Sequence, residues 1–374
     1  MKRAVVLVFL AVGSSCNCGP EPLPDAGVPD ASVVEDAGVE LDAGFDAGEV
    51  DAGPPDAGEP DAGFDAGFDA GFDAGVDAGF DAGVPDAGFD AGPDFCPVPS
   101  GIGAPFRVRA MAANLTTGPN QSYTPGHGIR IMQGTDPDIV MIQEFNYGSS
   151  SPTDINTMVR TTFDGGFYYN RGAGVGGGAI PNGVISRWPI IDQGEWTDTL
   201  VSNRNFVWAQ IDIPGDNDLW VISVHLLTSS AGARNNEANN LLALIRANIP
   251  ENSYVLLGGD FNTNTRDENV EPCLTTFAAE FVITGPHPVD NLGNEGTSGN
   301  RNKPYDHVLA SPCLARLQRP TVLGTTTFDA GAVIDTRVYM PLSDIAPAQY
   351  GDCETGAPIY TQHMGVLKDF YIQP

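Results

Sequence analysis

The sequence predicts an α/β domain of two packed sheets flanked by helices, standing behind a long acidic low-complexity segment. Three observations predict it. From Phe106 onward, strand-like apolar runs of 4–8 residues recur with helical periodicity between them. The surplus of Gly, Pro and Asp is confined to the N-terminal side, so the remaining residues have ordinary aromatic and β-branched content. Polar residues also collect where the apolar runs stop. The 374 residues carry 18 Lys and Arg against 48 Asp and Glu, a net charge of -30. Residues 1–94 hold 21 acidic and 2 basic side chains, which leaves 27 and 16 for residues 95–374, net -11. About 280 residues are enough to bury a large core, and the composition excludes a wholly disordered chain, a coiled coil and a polytopic membrane protein.

The chain opens with Lys2 and Arg3, an apolar run over residues 4–12, and then Gly13-Ser14-Ser15-Cys16. That run is too short to span a bilayer, so it reads as a cleaved export signal. Small residues before a cysteine resemble a bacterial lipobox, which makes Cys16 the expected lipidation site, although the usual Leu three residues upstream is missing. The expected product is exported, either anchored to a membrane by lipid alone or secreted after an ordinary signal cleavage. Residues 17–94 repeat Asp-Ala-Gly-Phe/Val. One charge, one Ala and one Gly per short period bury too little apolar surface to offset ordering entropy, and like charges every four residues extend the chain. A disordered stalk is expected; the unit lacks the several oxygen ligands per turn of a calcium loop.

The domain is expected over residues 95–374. Its first strand alternates Val108, Ala110 and Ala112 and ends at Asn114; further strands are expected over 139–144, 183–186, 206–211, 220–225, 254–260, 307–310 and 364–367. Helical spacing appears weakly over 129–134 and clearly over 235–248, where Leu241, Leu242, Leu244 and Ile245 share a face. Cys96, Cys273, Cys313 and Cys353 match no zinc-site spacing and are expected to form two disulfides in one of three pairings, with Cys18 left as a free thiol.

Asn114, Glu144, His225, Asp260, Asn262, Asp306 and His363 all stand at or beside strand ends. Singly, each is explained by a turn or cap; jointly they predict one site, because strand ends in a layered α/β domain converge on one rim. Glu144 ends an apolar strand, and a buried carboxylate there calls for compensation, by a cation such as magnesium or by a salt-bridging donor in the core. The glycines of Gly258-Gly259-Asp260-Phe261-Asn262 let backbone approach closely, while Asp260 and Asn262 lie on one side of an extended turn. His225 and His363 are candidates for proton transfer, and Asp306 for fixing a histidine tautomer.

These segments, in order from Met111-Ala112-Ala113-Asn114 through Gln143-Glu144, Asn182-Gly183, Val224-His225-Leu226, Gly258-Gly259-Asp260-Phe261-Asn262 and Tyr305-Asp306-His307 to Gln362-His363, resemble the endonuclease/exonuclease/phosphatase superfamily over residues 105–374. The resemblance implies a four-layer α/β sandwich of two mixed sheets flanked by helices. It implies divalent-metal-dependent cleavage of phosphate esters with Mg2+, or Mn2+ or Ca2+. Glu144 would be the main metal ligand with Asn114 beside it and Asp260 contributing. Asp260 and Asn262 would orient the attacking water, and His363 would be the principal acid/base, oriented by Asp306. His225 matches the second histidine of the branch shared by secreted deoxyribonucleases and bacterial sphingomyelinases. Arg204 and Asn182 would contact substrate. One departure is plain: the family's Ser-Asp-His reads Thr361-Gln362-His363 here. The expected protein is a monomeric nuclease, with a phospholipid or sphingomyelin phosphodiesterase second and a surface binding module third. The domain's -11 weighs against tight nucleic-acid binding, with Arg171, Arg187 and Arg204 the local cations available for it.

Overall fold

A computed structural model describes residues 96–97, 103–117, 121–174, 178–352 and 360–374. Cys16, Cys18, the repeat segment and Cys353 lie outside these residues. In chain order the first elements are β1 (Phe106–Ala113), α1 (His127–Thr135), β2 (Ile139–Ile142), α2 (Pro152–Thr162), β3 (Tyr168–Arg171), β4 (Gly183–Ser186), β5 (Ile190–Trp196), β6 (Phe206–Ile211) and β7 (Leu219–His225). Then follow α3 (Ala231–Asn248), β8 (Tyr254–Asp260), α4 (Pro272–Phe277), β9 (Asp306–Ala310), α5 (Pro312–Ala315), β10 (Gln318–Arg319), β11 (Thr321–Leu323), β12 (Thr326–Phe328), β13 (Ala332–Ile334) and β14 (Gly365–Ile372).

Two mixed sheets result, beside a two-stranded antiparallel sheet of β11 and β12. One has seven strands in the order β10-β14-β1-β2-β4-β3, with β13 also on β14; the other has five, β5 to β9 in sequence. The inter-sheet core holds Ala110, Ala112, Val221, Leu256, Val308 and Ala310. Behind the five-stranded sheet, Ile222, Val224, Val255, Leu257 and Leu309 pack on Leu241 and Ile245 of α3 and Phe277 of α4. Ile131 and Met132 of α1 and Met158 and Val159 of α2 are buried with the seven-stranded sheet. The four-layer expectation therefore holds.

All eight expected strands are present, and the helix expected over 235–248 begins earlier, at Ala231, because Ser230 caps it by accepting from the Ala233 amide. The weakly spaced helix expected over 129–134 is α1, which spans His127–Thr135; the remaining helices and strands were not expected. For α2 the reason is its β-branched Thr content, although Ile155, Met158, Val159 and Thr162 do lie on one buried helical face and Ser151 caps it. The disulfide expectation is corrected in part. Cys96 pairs with Cys313 across 217 residues of sequence, whereas Cys273 is a buried free thiol packed in the core beneath α3.

Two buried ion pairs anchor the layers. Arg109 of β1 makes a bidentate pair with Asp369 of β14, both contacts 2.8 Å, and donates to the carbonyl oxygens of Thr135 and Val322. Arg234 of α3 pairs with Glu271 just before α4 at 2.7 Å. Each guanidinium is thus satisfied by a carboxylate plus carbonyls, which is the condition for burying such a charge.

Candidate active site

Strand topology brings the polar strand ends together. β1 and β2 run parallel, and so do β7 and β8, so Asn114 and Glu144 leave one sheet where His225 and Asp260 leave the other. β9 is antiparallel to β8 and β14 to β1, so Asp306 and His363 enter at that same end, as does Asn182 ahead of β4. Period-two alternation then selects the face. Asn114 follows Ala110 and Ala112; His225 follows Val221 and Ser223; Asp260 follows Leu256 and Gly258; and Asp306 precedes Val308 and Ala310. All four point between the sheets. His307 has the opposite parity and stacks on Phe261, 4.7 Å between ring centres, away from the site.

The glycines do what the sequence suggested, by admitting the other sheet. A Cβ on Gly258 would stand 2.7 Å from the Met141 sulfur, and one on Gly259, whose φ is +134°, only 2.5 Å from the Gln143 amide nitrogen. Gln143 crosses to donate to Ser223 Oγ at 2.9 Å, and Ser223 Oγ donates back to the Ile142 carbonyl at 3.0 Å. This bridge fixes the distance between the two strand ends. Glu144 comes next with left-handed backbone, φ 49°, a conformation disfavoured for glutamate and retained where the surroundings impose it. Asn262, φ 53°, shares that region at the opposite strand end.

Glu144 is buried and accepts from Thr116 Oγ1 at 2.6 Å and Gln121 Nε2 at 3.3 Å, with the Gln362 amide nitrogen at 3.5 Å. Burial pushes its carboxyl above the usual range, partly offset by Thr116 and by the charge on His363. Asp260 is the hub. Its Oδ2 accepts from Asn114 Nδ2 at 3.0 Å and lies 3.3 Å from His225 Nε2 and 3.7 Å from His363 Nδ1, while its Oδ1 accepts from the Asn262 amide at 2.9 Å. Burial raises Asp260 to about 6 against the opposing pull of His363.

His363 Nδ1 sits 3.0 Å from Asp306 Oδ2, which Thr297 Oγ1 also contacts at 2.7 Å. Burial disfavours its charge, yet Asp306, Asp260 and Glu144 together raise it to about 9. Asp306 occupies Nδ1, which leaves Nε2 as the nitrogen for chemistry, and the ring lies 5.2 Å from that of Tyr305. His225 differs. Burial, then the neighbouring Arg204 and His363, hold it well below the usual value, so it is neutral, with Nε2 3.3 Å from Asp260 Oδ2. Its Nδ1 is buried without a hydrogen-bond partner among the described residues.

Arg204 and Asn182 take positioning places in this structure. Arg204 donates from Nε to the His225 carbonyl at 2.6 Å and from Nη2 to the Leu226 carbonyl at 3.2 Å. Asn182 donates to the Asn205 carbonyl at 2.7 Å, leaving its Oδ1 buried and unpartnered among the described residues. Thr116, Gln121, Gln143, Ser223, Thr297 and Tyr305 were missed by sequence reasoning. Their positions carry no signal beyond proximity to the strand ends, since each acts through a contact between distant segments.

Three buried carboxylates face one charged imidazole here. Asp306 Oδ1 has no partner among the described residues, and Asp260 and Glu144 are both pushed towards their protonated forms. Oxygen donors short of positive charge fit a hard divalent cation. Ligand atoms of Asp260, Asp306 and His363 lie within 4.8 Å of one another, and Glu144 stands outside that trio, beside Asn114 and Thr116.

A model of the endonuclease/exonuclease/phosphatase family matches residues 129–344. Sphingomyelinase C of Bacillus cereus is 35% identical over 97 residues, covering 22% of this chain and 28% of the relative, so the chain spans well under a third of that protein's length. Among solved structures, a family protein from Leptotrichia buccalis superposes with TM-score 0.49 and 14% identity over 71% of this chain and 100% of its own. One from Bacteroides thetaiotaomicron gives TM-score 0.49 and 16% identity over 72% and 96%. With the family model covering more than half of its residues, this chain belongs to the endonuclease/exonuclease/phosphatase family.

Proposed function

We propose that the chain is an exported, divalent-metal-dependent phosphodiesterase whose preferred substrate is a choline-type phospholipid diester. The observation that carries the reaction is one buried group in which Asp260 Oδ2 stands 3.7 Å from His363 Nδ1 and Asp306 Oδ2 3.0 Å from it, with burial raising the Asp260 carboxylate to about 6 and the surrounding carboxylates raising the imidazole to about 9. At neutral pH Asp260 is ionised and able to take a proton from water, and His363 is charged and able to give one from Nε2 to a leaving oxygen. Asp306 and Thr297 hold the imidazolium in orientation, while neutral His225 and Asn114 hold Asp260. Arg204 steadies the carbonyl of His225. Glu144, with Asn114 alongside, would hold the ion, which supplies charge compensation for the phosphate when bound. Gln362 presents an amide donor towards Glu144 where the family's pattern has a carboxylate, which favours one ion over two.

The substrate class rests on charge. A polyanion needs free cations, and the three arginines available for it are engaged internally. Arg171 donates to the Phe145 carbonyl and Asn146, Arg187 pairs with Asp138 and Asp136, and Arg204 holds two carbonyls. With residues 95–374 at -11, a zwitterionic headgroup meets less repulsion than DNA or RNA. The local similarity to a sphingomyelinase supports the same choice. Residues 1–16 acting as a lipoprotein signal with Cys16 as anchor, and 17–94 as a stalk, would hold such an enzyme near a bilayer.

The test is the purified full chain with Mg2+, given sphingomyelin or phosphatidylcholine vesicles, plasmid DNA, RNA and bis-p-nitrophenyl phosphate, with EDTA as the zero. Phosphocholine release well above DNA or RNA cleavage is expected. Faster nicking of DNA than of lipid would reverse the substrate assignment, and inertness towards all four would remove the enzymatic one.

A further inference from the structure

Two carboxylates that the reaction does not use lie buried beside the exit of β7. Glu237 of α3 is fully buried, and Asp198, on the segment after β5, is 3% exposed. One oxygen of each is engaged. Glu237 Oε2 accepts from the Leu227 amide at 2.8 Å, and Asp198 Oδ1 from the Leu200 amide at 2.9 Å. The other two oxygens, Glu237 Oε1 and Asp198 Oδ2, are buried, and no N–H or O–H among the described residues reaches either. The two side chains are nevertheless hydrogen-bonded to each other. A carboxylate only accepts, so that bond requires one of the pair to carry a proton.

The charges around the pair agree. Arg204 is the cation beside both, since Arg234, one turn earlier on α3, is taken by Glu271. One cation cannot neutralise two buried carboxylates, and a second uncompensated charge there would be unfavourable. Burial raises the Glu237 carboxyl to about 8, with the Leu227 amide and Arg204 pulling against it and Asp198 adding to it. Across neutral pH the proton therefore lies on Glu237. What these groups hold is the backbone that carries His225. Arg204 donates to the His225 and Leu226 carbonyls, Asn262 Nδ2 to that of Leu226 at 2.9 Å, and Arg234 Nη1 to that of Leu227 at 3.3 Å. A doubly ionised pair would draw the Arg204 guanidinium off two of these carbonyls.

We propose that Glu237 and Asp198 share one proton and act as positioning residues, holding Arg204 and the Leu227 amide where His225 faces Asp260. The effect on turnover rests on the phosphodiesterase reading, whereas the proton is measured without it. With the full chain at fixed magnesium, the infrared difference between wild type and Glu237→Gln at pH 7 should contain the carbonyl stretch of a protonated carboxyl. Because the folded value of Glu237 lies above its ordinary 4.5, its contribution to stability is full below that pH and is lost as pH rises to about 8. The melting temperature of wild type relative to Glu237→Gln should therefore fall by several degrees between about pH 5 and 8 and level off above. Asp198→Asn, whose amide can donate to Glu237, should remove the same slope. On the substrates above, Glu237→Gln should keep kcat/KM within about twofold, whereas Glu237→Leu should lower kcat by roughly 10–100-fold with little change in KM. A melting difference that stays flat over this range, a Glu237→Gln chain that does not fold, or Glu237→Leu as active as Glu237→Gln would overturn the proposal. Where wild type is inert or Glu237→Leu does not fold, the infrared and melting readings decide alone.

Discussion

His363 keeps a positive charge in a place that burial alone would make neutral, and Asp260 keeps a proton to a higher pH than an exposed aspartate does. The two opposed displacements set a pH window. In the proposed reaction Asp260 acts deprotonated and His363 protonated, so kcat/KM should rise through about pH 6 and fall through about pH 9. His363→Ala should lower the rate by roughly 10²–10⁴-fold, and its residual activity should lose the limb near 9. Glu144→Gln should lower it comparably, because an amide cannot replace the carboxylate proposed to hold the ion. A wild-type profile flat between pH 5 and 10 would contradict these roles. Gln362 offers the converse test. Gln362→Asp puts a carboxylate beside Glu144 where an amide now donates, and should lower the magnesium concentration for half-maximal activity by roughly tenfold. An unchanged magnesium curve would mean that this side chain faces no ion. At this scale strand-end polarity marked the residues that the fold gathers, Asn114, Glu144, His225, Asp260, Asp306 and His363. It gave no sign of their tautomers or of Thr297 and Thr116, which depend on segments 9 and 28 residues away.

Strands buried on both sides were legible because their apolar runs are continuous, as in β2 and β8. The two- and three-residue strands β10 to β13 were not, because so few residues carry no period and are held by their partners. The glycine pair in β8 was read as permitting close approach; what approaches, Met141 and Gln143 from the opposite sheet, is a tertiary fact. That contact yields a prediction. Gly258→Ala places a methyl 2.6 Å from the Met141 terminal carbon and 2.8 Å from the His307 carbonyl oxygen. Urea unfolding should show a loss of about 1–3 kcal/mol. Shortening the neighbour in Gly258→Ala/Met141→Ala should return part of it as a coupling of about 0.5–3 kcal/mol. Strict additivity of the two single changes would show that the sheets do not meet through this pair.

At the scale of the whole molecule, the net charge of -30 divides into -19 over residues 1–94 and -11 over residues 95–374. The charge of residues 95–374 separates the substrate readings by their salt response. For a polyanion approaching a net-negative face, added salt relieves repulsion and association accelerates. Were binding instead driven by a basic groove, salt would weaken it steeply through lost counterion release. A zwitterionic headgroup has no net charge to be steered in either direction. The kcat/KM for sphingomyelin in neutral vesicles is therefore expected to change by less than about twofold between 20 and 300 mM sodium gluconate at fixed magnesium. The same range should raise any residual cleavage of DNA. A steep fall of lipid turnover with salt would point to an ionic contact that the engaged arginines do not provide. A steep fall of DNA cleavage would reveal a basic surface and restore nucleic acid as the substrate.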